Sequence, residues 1–431
     1  MKRFSKIYSL SLAFLFLFFC DAYPSPCKVK GDPGGWTLEV DGKEFDLKGA
    51  GCGYATKDGT DYLALARDMG ANCVRTWGFG QGTKEYLDAA HSYGLKVDAG
   101  IWFEHCYWRR KKKVFSYVND VERVEQMERD TLEYVKRFKD HPAVIMWNLG
   151  NEALFFALEE EEKIAFCRFL ERVAKKVKEI DPLHPVLYTA SGTHAFPYLK
   201  KYVPSLDIIG VNTYGGIDGI QAAWKENGFS VPYMITELGP LGPWDCPKDE
   251  FGRSIDQADY EKAFRYQHLI EEAESFKGYC LGVFVFYLGA TTQESLTWWN
   301  LTVGPYKRES FHVAKKFFTG KDEANKPPFC IGLELDKNIV FPEEEVKAFI
   351  KARDRENDSL TFDILVGTSK EDILLHKVNE VIPVKVLRKG EETVFLAPGQ
   401  PGVYKLHAYV YDGNGNVSTR SVCFQVEESS K

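Results

Sequence analysis

The stretch Ala143–Glu152 reads Ala-Val-Ile-Met-Trp-Asn-Leu-Gly-Asn-Glu, and a second stretch, Tyr233–Gly239, reads Tyr-Met-Ile-Thr-Glu-Leu-Gly. Each begins as an apolar run, the pattern of a strand buried on both faces of a parallel sheet. Each then reaches a glutamate, Glu152 in the first and Glu237 in the second. A carboxylate at the end of a buried strand is costly unless a site uses it. The two stretches therefore predict a parallel sheet with a polar site at its strand ends, although a salt-bridged structural carboxylate is the alternative for either glutamate.

Eight β-type runs alternate with helical patterns between Trp36 and about Phe318. The runs are Phe45–Cys52, Asn72–Trp77, Lys96–Phe103, Ala143–Leu149, Val186–Ala190, Asp207–Thr213, Tyr233–Glu237 and Leu281–Tyr287. The clearest helical patterns are Asp61–Met69, Lys84–Tyr93, Val121–Phe138 and Ile164–Ile180. Eight repeats over about 280 residues predict an α/β fold, a (β/α)₈ TIM barrel. An open doubly wound sheet is the alternative, but no GxGxxG motif follows the first run.

In a TIM barrel, the carboxyl ends of the strands form the catalytic face. Glu152 would end strand four and Glu237 strand seven, so both would converge on one pocket. Glycoside hydrolysis needs such a pair, because one carboxyl group protonates the leaving oxygen while the other attacks the anomeric carbon. A retaining enzyme would hold the two groups roughly 5–5.5 Å apart.

On these residues the chain resembles a glycoside hydrolase of clan A, the superfamily of retaining β-glycosidases, and within it the family 2 type of catalytic barrel. The pair Asn151–Glu152 after strand four and Glu237 after strand seven are the specific marks of the resemblance, which covers roughly residues 35–318. The resemblance implies that Glu152 is the general acid/base and Glu237 the nucleophile. It also implies that Asn151 contacts the sugar 2-hydroxyl.

Two further residues match the same family pattern. Arg75, in Val74-Arg75-Thr76-Trp77, matches the arginine at the end of strand two. By resemblance it would lie beneath Glu237 and keep that carboxylate ionised. Tyr214 ends a run similar to strand six of these enzymes and would donate a hydrogen bond to Glu237.

The chain departs from the family pattern at two positions. Relatives often end strand eight in a tryptophan that forms the floor of the sugar site, whereas this chain has Tyr287. Either Tyr287 substitutes, or Trp298 or Trp299 in the following loop provides the platform. Many relatives also place a histidine near strand six, where this chain has Asn212.

Aromatic residues cluster where the rim of such a site would be, and aromatic rings pack well on the C–H faces of sugars. The candidates are Trp77, Phe79, Trp102, Phe103, Trp108, Trp244, Tyr287, Trp298 and Trp299. Packing in the core is the alternative for each of them. We favour the site for Trp77 and Trp102, which stand at strand ends, and the core for Trp147.

Glu104-His105 after strand three competes for a catalytic role, and we predict that both residues shape the pocket or contact substrate. Two adjacent ligands without a third at a suitable spacing are weak evidence for a metal site. We therefore predict neither a metal nor a cofactor. Arg109–Lys113 reads as a solvated loop, with contact to an acidic sugar as the alternative, and His194 after strand five is an additional candidate for the pocket wall.

The N-terminus has the pattern of a secretory signal over residues 1–22. Met1–Lys6 is basic, Ile7–Phe19 is mostly apolar, and Cys20 and Ala22 supply the small residues before a cut. A lipid anchor on Cys20 is the less favoured alternative, because the bulky Phe19 precedes it. We expect a secreted or cell-envelope protein.

After the barrel, predicted over residues 23–318, the helical rhythm stops. Residues 319–328 are polar, end in Pro327-Pro328 and predict a linker. Residues 329–431 hold short β-type runs separated by turn signals, which predict a small Ig-like β-sandwich. Export would allow disulfides, and Cys330 and Cys423, near the two ends of this segment, are candidates for a bond.

The composition restricts the function further. The chain has 431 residues, 44% of them hydrophobic, and a net charge of −7. An acidic chain of this kind lacks the footprint of a nucleic-acid binder and is weakly attracted to anionic membranes. We predict a secreted retaining β-glycosidase that hydrolyses or transglycosylates β-linked oligo- or polysaccharides. The alternatives are a glycosidase for acidic sugars, of the β-glucuronidase kind, and a non-catalytic glycan-binding surface protein on the same scaffold.

Overall fold

The structure is a computed structural model that describes residues 25–53, 58–108, 110–370 and 378–428. Eight parallel strands close into a barrel in chain order. They are β1 (Leu47–Cys52), β2 (Cys73–Arg75), β3 (Lys96–Ile101), β4 (Val144–Asn151), β5 (Val186–Ser191), β6 (Ile208–Tyr214), β7 (Tyr233–Gly239) and β8 (Cys280–Leu288). The prediction of a TIM barrel is confirmed. The predicted signal and Cys20 lie outside the described residues.

Helices cover the outside of the barrel. They are α1 (Tyr62–Met69), α2 (Thr83–Ser92), α3 (Val121–Phe138), α4 (Glu160–Ile180), α5 (Phe196–Tyr202), α6 (Asp218–Glu226), α7 (Asp259–Ser275) and α8 (Glu309–Thr319). Helix α1 illustrates how the local sequence sets the ends, because the Asp61 side chain accepts a hydrogen bond of 2.9 Å from the Ala64 N–H and Gly70 adopts the left-handed conformation that ends the helix. Within the described ranges, we find no helix that combines the length and apolarity needed to cross a bilayer.

A small antiparallel sheet packs against apolar residues of the barrel strands. Its strands are Cys27–Lys30, Thr37–Val40 and Lys43–Glu44. Leu38 and Val40 of this sheet, and Trp36 just before its second strand, share an apolar cluster with Met146 of β4 and Phe284 of β8. The cluster leaves the carboxyl ends of the barrel strands as the open, polar face. The sequence pattern does not predict this sheet, because its strands are only two to four residues long.

Both glutamate-bearing strands contain a bulge just before the glutamate. Between β6 and β7 the register skips Thr236, so that Asn212 lies opposite Glu237. Between β4 and β5 it skips two residues of β4, one of which is Gly150 with φ of 89°. A bulge breaks the strict alternation of side chains and redirects the residue that follows it. Thr236 and Glu237 can therefore both face the inside of the barrel.

Two β-sheets follow the barrel. One has the order β9 (Phe329–Leu335), β11 (Glu345–Arg353), β15 (Glu392–Leu396) and β14 (Val386–Arg388). The other has the order β10 (Ile339–Val340), β17 (Val417–Val426), β16 (Gly402–Tyr411), β12 (Thr361–Thr368) and β13 (Val381–Ile382). Residues from both sheets share one apolar core. We call residues 329–428 the C-terminal β-domain; its Ig-like topology and the bounds of the linker stay predictions.

The disulfide suggested for Cys330 and Cys423 is wrong. All nine cysteines in the described ranges are buried free thiols. The backbone N–H of Cys330 donates to Ser418 Oγ at 3.3 Å, and Ser418 lies in the same strand as Cys423 but five residues before it. At about 3.4 Å per residue, the two cysteines lie near opposite ends of β17. Two cysteines near the ends of a segment in the sequence therefore need not be close together in the folded domain.

Candidate active site

A cavity of about 550 Å³ opens at the carboxyl ends of the barrel strands. Its walls combine aromatic rings with a few polar groups. The lining residues are Trp77, Trp102, Asn151, Glu152, Phe155, Phe156, Ser191, Tyr214, Glu237, Trp244, Phe286, Tyr287, Thr291, Gln293, Glu294 and Trp299. The two predicted carboxylates therefore reach the same cavity from β4 and β7.

Glu237 accepts hydrogen bonds from three side chains. The Arg75 guanidinium and the Trp77 indole N–H each donate to Oε1 at 2.7 Å. The Tyr214 hydroxyl donates to Oε2. All three partners act as donors. An ionised carboxylate can only accept hydrogen bonds, so this environment suits it. Arg75 also donates to the Thr236 carbonyl at 3.0 Å, so it supports the strand as well as the carboxylate.

Glu152 has a different environment. The Asn212 side-chain amide donates to Glu152 Oε1 at 2.7 Å, and no cation contacts the carboxyl group within hydrogen-bond distance among the described residues. Burial, followed by the negative charge of Glu237, raises the pKa of Glu152 to about 7 against the opposing effects of Asn212 and Arg75. A carboxyl group with this pKa still holds a proton near neutral pH, as a general acid requires.

Asn151 is oriented by its neighbours. Its side-chain oxygen accepts from Arg75 at 2.7 Å and from Asn212 at 3.1 Å. His105 Nε2 lies 2.8 Å from the Asn151 backbone carbonyl, which can only accept. Because the side-chain oxygen is used in this way, the amide N–H groups of Asn151 remain for a ligand in the cavity. His105 thus supports the cavity wall through Asn151 and Phe156. The ring centroids of His105 and Phe156 are 4.2 Å apart.

A third carboxylate, Asp98 on β3, lies beneath the two glutamates and was missed by sequence analysis. Its Oδ2 lies 3.7 Å from Arg75 Nε and accepts a hydrogen bond of 2.9 Å from Asn148. Burial raises the pKa of Asp98 to about 6, although Arg75 opposes the shift. The available signal was an aspartate inside the otherwise apolar run Lys96–Phe103.

The aromatic walls match part of the prediction. Trp77, Trp102 and Tyr287 line the cavity, and Trp77 also binds Glu237 directly, which was not predicted. The Trp77 and Tyr287 ring centroids are 5.6 Å apart. At the mouth, Trp102 is 47% exposed and Trp244 is 43% exposed, so both offer open faces.

Several candidate residues lie elsewhere. Trp298 is only 1% exposed and donates its indole N–H to the Leu241 carbonyl at 3.0 Å, so Trp299 lines the cavity in its place. Glu104 forms an ion pair with Arg123 and is absent from the described lining, so its role in shaping the pocket or contacting substrate stays a prediction.

Phe79 and Phe103 belong to the core instead of the rim. Phe79 stacks on Phe138 of α3 at 5.7 Å, and Phe103 packs against Phe169 of α4 at 5.0 Å. Trp147 is fully buried, as favoured. The side chain of Trp108 lies outside what the structure describes.

The basic run Arg109–Lys113 does not line the cavity in its described part. Lys113 pairs with Glu162 at 2.8 Å, and the Arg110 guanidinium lies over the Phe155 ring at 4.2 Å. Arg109 itself lies outside the described residues. His194 contacts the same Phe155 ring edge-on at 5.4 Å, behind the wall.

A closed (β/α)₈ barrel with glutamates at the ends of β4 and β7 defines the class of TIM-barrel glycoside hydrolases of clan A. Residues 46–239 match the family described as glycosyl hydrolases family 2, TIM barrel domain. This match supports the resemblance to family 2 that the sequence showed.

Curated relatives agree with this match. The chain is 27% identical over 237 residues to the β-galactosidase BoGH2A of Bacteroides ovatus, covering 47% of this chain and 26% of that protein. It is 29% identical over 269 residues to the β-glucuronidase of Sus scrofa, covering 57% of this chain and 36% of that protein. The matches thus span well under half the length of these relatives.

Solved structures show the same fold. A β-glucuronidase of Bacteroides uniformis superposes with a TM-score of 0.52 at 16% identity, covering 94% of this chain and 48% of that one. A family 2 β-galacturonidase of Eisenbergiella tayi, bound to galacturonate, gives a TM-score of 0.53 at 14% identity, covering 69% and 54%.

Proposed function

We propose that this chain is a retaining β-glycosidase that cleaves β-linked glycans by double displacement. The observation that carries the proposal is the contrast between two carboxyl groups in one cavity. Glu237 is surrounded by three donors, one of them cationic, while the pKa of Glu152 is raised to about 7. One group therefore suits nucleophilic attack and the other suits proton donation.

The reaction proceeds in two steps on these side chains. A carboxylate oxygen of Glu237 attacks the anomeric carbon, the glycosidic bond breaks, and Glu152 gives its proton to the leaving oxygen. Glu152, now ionised, takes a proton from water, whose oxygen attacks the anomeric carbon and releases Glu237. Two inversions give a product with retained configuration. A sugar hydroxyl in place of water would give transglycosylation.

Asn151 completes this arrangement. Its side-chain oxygen is held by Arg75 and Asn212, so its amide is available to the sugar 2-hydroxyl. Hydrogen bonds to that hydroxyl strengthen at the transition state of glycoside hydrolysis. Arg75 contacts both Asn151 and Glu237, so a single side chain aligns the nucleophile with this contact.

The charge of the cavity favours a neutral sugar. The carboxylates of Glu237 and Glu294 line it beside the protonated Glu152, and the described lining contains no lysine, arginine or histidine. A uronate carboxylate would therefore approach like charges without a cation to receive it. The aromatic walls suit the C–H faces of a neutral pyranose.

A β-glucuronide is the second candidate substrate. Curated relatives include proteins named β-glucuronidase, and the Arg110 guanidinium lies against the Phe155 ring that lines the cavity. A modest movement of Arg110 around this ring would bring a cation to the mouth. Arg110→Ala should then abolish turnover of the glucuronide and spare a neutral glycoside.

We further propose that the protein is exported, to the exterior or the cell envelope, with residues 1–22 as the signal. The pattern of a basic start, an apolar run and small residues supports this proposal. Fractionation of cells that express the full chain tests it, and retention of the uncleaved chain in the cytoplasm would contradict it. Palmitate incorporation that depends on Cys20 would indicate the lipid-anchored form.

The activity is tested with p-nitrophenyl β-glycosides of glucose, galactose, mannose and glucuronic acid, with the Glu237→Gln protein as the matched control. We expect turnover of a neutral β-glycoside, and proton NMR should show the β-anomer as the first product. An α-anomer as the first product would contradict the retaining mechanism. Saturable binding of β-glycans without turnover of any substrate would support the non-catalytic alternative.

A further inference from the structure

The loop between β8 and α8 contributes a separate part of the cavity wall. We call residues 289–301 of it the rim loop. Thr291, Gln293, Glu294 and Trp299 of the rim loop line the cavity beside the two catalytic candidates. The barrel strands alone therefore do not complete the site.

The C-terminal β-domain holds the rim loop at its first half. The backbone N–H of Asn379 donates to the Thr292 carbonyl at 2.9 Å, and Val378 forms a bridge with Gln293. Asn379 is 2% exposed; its side-chain N–H donates to the Thr292 carbonyl at 3.4 Å, and its side-chain oxygen accepts from the Lys370 backbone N–H at 3.2 Å. Asn379 thus links the rim loop to the residues that follow β12 of the C-terminal β-domain.

A second contact holds the other half of the rim loop. Thr297 Oγ1 and His407 Nδ1 lie 3.1 Å apart, and both residues are buried. Arg308 donates to the Thr297 carbonyl at 2.7 Å and to Thr419 Oγ1 of β17 at 2.9 Å. Burial, with the nearby Lys405, lowers the pKa of His407 to about 3, so this contact stays neutral at working pH.

Between these two contacts, Glu294 has a φ of 66° and a partly buried side chain in the cavity wall. A residue other than glycine in the left-handed region is uncommon, and such conformations persist where the surroundings hold them. They concentrate at ligand sites. The contacts of the C-terminal β-domain at Thr292 and Thr297 hold the backbone of Glu294 in this conformation.

We propose that Glu294 is a specificity-determining residue that binds hydroxyl groups of the sugar, and that the C-terminal β-domain positions it through Asn379 and His407. The proposal rests on the proposed glycosidase function. A carboxylate has about four acceptor sites on its two oxygens, so Glu294 can accept from the hydroxyls of a neutral sugar in addition to its protein partners. The C-terminal β-domain is then a working part of the active site.

A double-mutant cycle tests the proposal on the p-nitrophenyl β-glycoside that the full chain turns over best. Glu294→Ala should lower kcat/KM about 10- to 100-fold, the value of a hydrogen bond to a charged group. Glu294→Gln keeps the shape and should recover part of the loss. Asn379→Ala should raise KM about 3- to 10-fold with kcat nearly unchanged, because it loosens a binding contact and leaves the reacting groups in place.

The double variant decides whether the two residues act together. Once Glu294 is alanine, Asn379→Ala should cause little additional loss, since coupled residues are not additive. Fully additive losses, or an unchanged KM in Asn379→Ala, would overturn the positioning role. Should Asn379→Ala fail to fold, Thr297→Val, which removes the His407 contact, serves the same cycle. Arg388→Ala, on the exposed β14 of the same domain, is the matched control and should change nothing.

Hydrogen–deuterium exchange separates this proposal from the proposed function, because it needs no substrate. In Asn379→Ala, amides of the rim loop should exchange faster while those of α3 keep their rates. Unchanged exchange in the rim loop would overturn the positioning role even in an active enzyme. Absence of turnover by the unmodified chain would overturn the proposed glycosidase function. The exchange result would still show whether the C-terminal β-domain holds the rim loop in place.

Discussion

The ends of β4 and β7 form a natural comparison, because each is an apolar strand with a bulge and then a glutamate. Both strands are largely apolar before the glutamate, yet the two carboxyl groups meet different neighbours. Donors from β2, β6 and the loop after β2 surround Glu237, whereas Glu152 meets one amide from β6. The chemical role of each glutamate is therefore set by adjacent strands and not by the strand that carries it.

The largest expected effect follows removal of the β7 carboxylate. Glu237→Ala lacks the attacking oxygen, so kcat should fall on the order of 10⁵-fold or more on every substrate, the scale seen when covalent nucleophiles are removed. Steady-state kinetics on the best aryl glycoside measures it. A fluorosugar that matches the substrate should label Glu237 in the intact protein, and labelling of Glu152 or Glu294 instead would reverse the comparison.

Removal of the β4 carboxyl group should give a smaller effect that depends on the leaving group. Glu152→Ala should lose about 10²- to 10⁴-fold on poor leaving groups, the usual contribution of general acid catalysis. It should lose far less in bond cleavage with dinitrophenyl glycosides, which need no proton donor. Azide should restore turnover of these substrates and give the β-glycosyl azide; an α-azide would contradict a covalent intermediate.

The pH dependence sharpens the comparison without mutation. Since the pKa of Glu152 is raised to about 7, the acid form is lost above that pH, and kcat/KM should fall about tenfold per pH unit there. A pH series of kcat/KM on a poor leaving group measures it. The alkaline limb should be absent in Glu152→Gln, and its persistence there would assign the acid to another residue.

Weakening the donors around Glu237 should have a moderate effect. Trp77→Phe removes one hydrogen bond to Oε1 and keeps an aromatic wall, so kcat should fall about 10-fold, as expected for a bond to a charged group. Tyr214→Phe is the parallel change on Oε2. A KM raised about 10-fold with an unchanged kcat would instead indicate that Trp77 only stacks on the sugar.

The smallest effect concerns stability. An unfolded glutamate has a pKa near 4.3, while that of native Glu152 is about 7. The native state therefore binds the proton more tightly, and this group lowers the free energy of unfolding as pH rises between these values. Glu152→Gln should gain about 1–3 kcal/mol relative to the unmodified chain at pH 8 but not at pH 4.

Calorimetry at both pH values measures this difference. Glu104→Gln is the matched control, because Glu104 forms an exposed ion pair with Arg123 and such pairs contribute little. A gain for Glu152→Gln that is equal at pH 4 and pH 8 would show that the cost is steric and not electrostatic.

The barrel strands begin and end within two residues of the positions predicted from the sequence. The prediction succeeded because strands such as Val144–Asn151 are apolar on both faces, a signal that does not depend on tertiary contacts. The glutamates followed, since each interrupts such a run. Arg75 and Tyr214 came from the family resemblance, and the structure places both beside Glu237.

What escaped prediction depends on contacts distant in sequence. Trp298 and Trp299 are neighbours in one loop, and only the fold decides which one reaches the cavity. Asp98 belongs to the site because it pairs with Arg75, which lies on the neighbouring strand. The support of the rim loop by Asn379 joins residues nearly ninety positions apart, for which no local pattern exists.

The buried thiols have a practical consequence for following the rim loop in solution. Burial raises the thiol pKa to about 11 for Cys246 and Cys280 and to about 12 for Cys52, Cys106 and Cys167. Alkylating dyes attack thiolates, so these groups are silent toward maleimides at neutral pH. A Tyr306→Cys substitution, at a position 39% exposed and five residues after the rim loop, would therefore carry a fluorophore in preference to the buried cysteines of the described ranges.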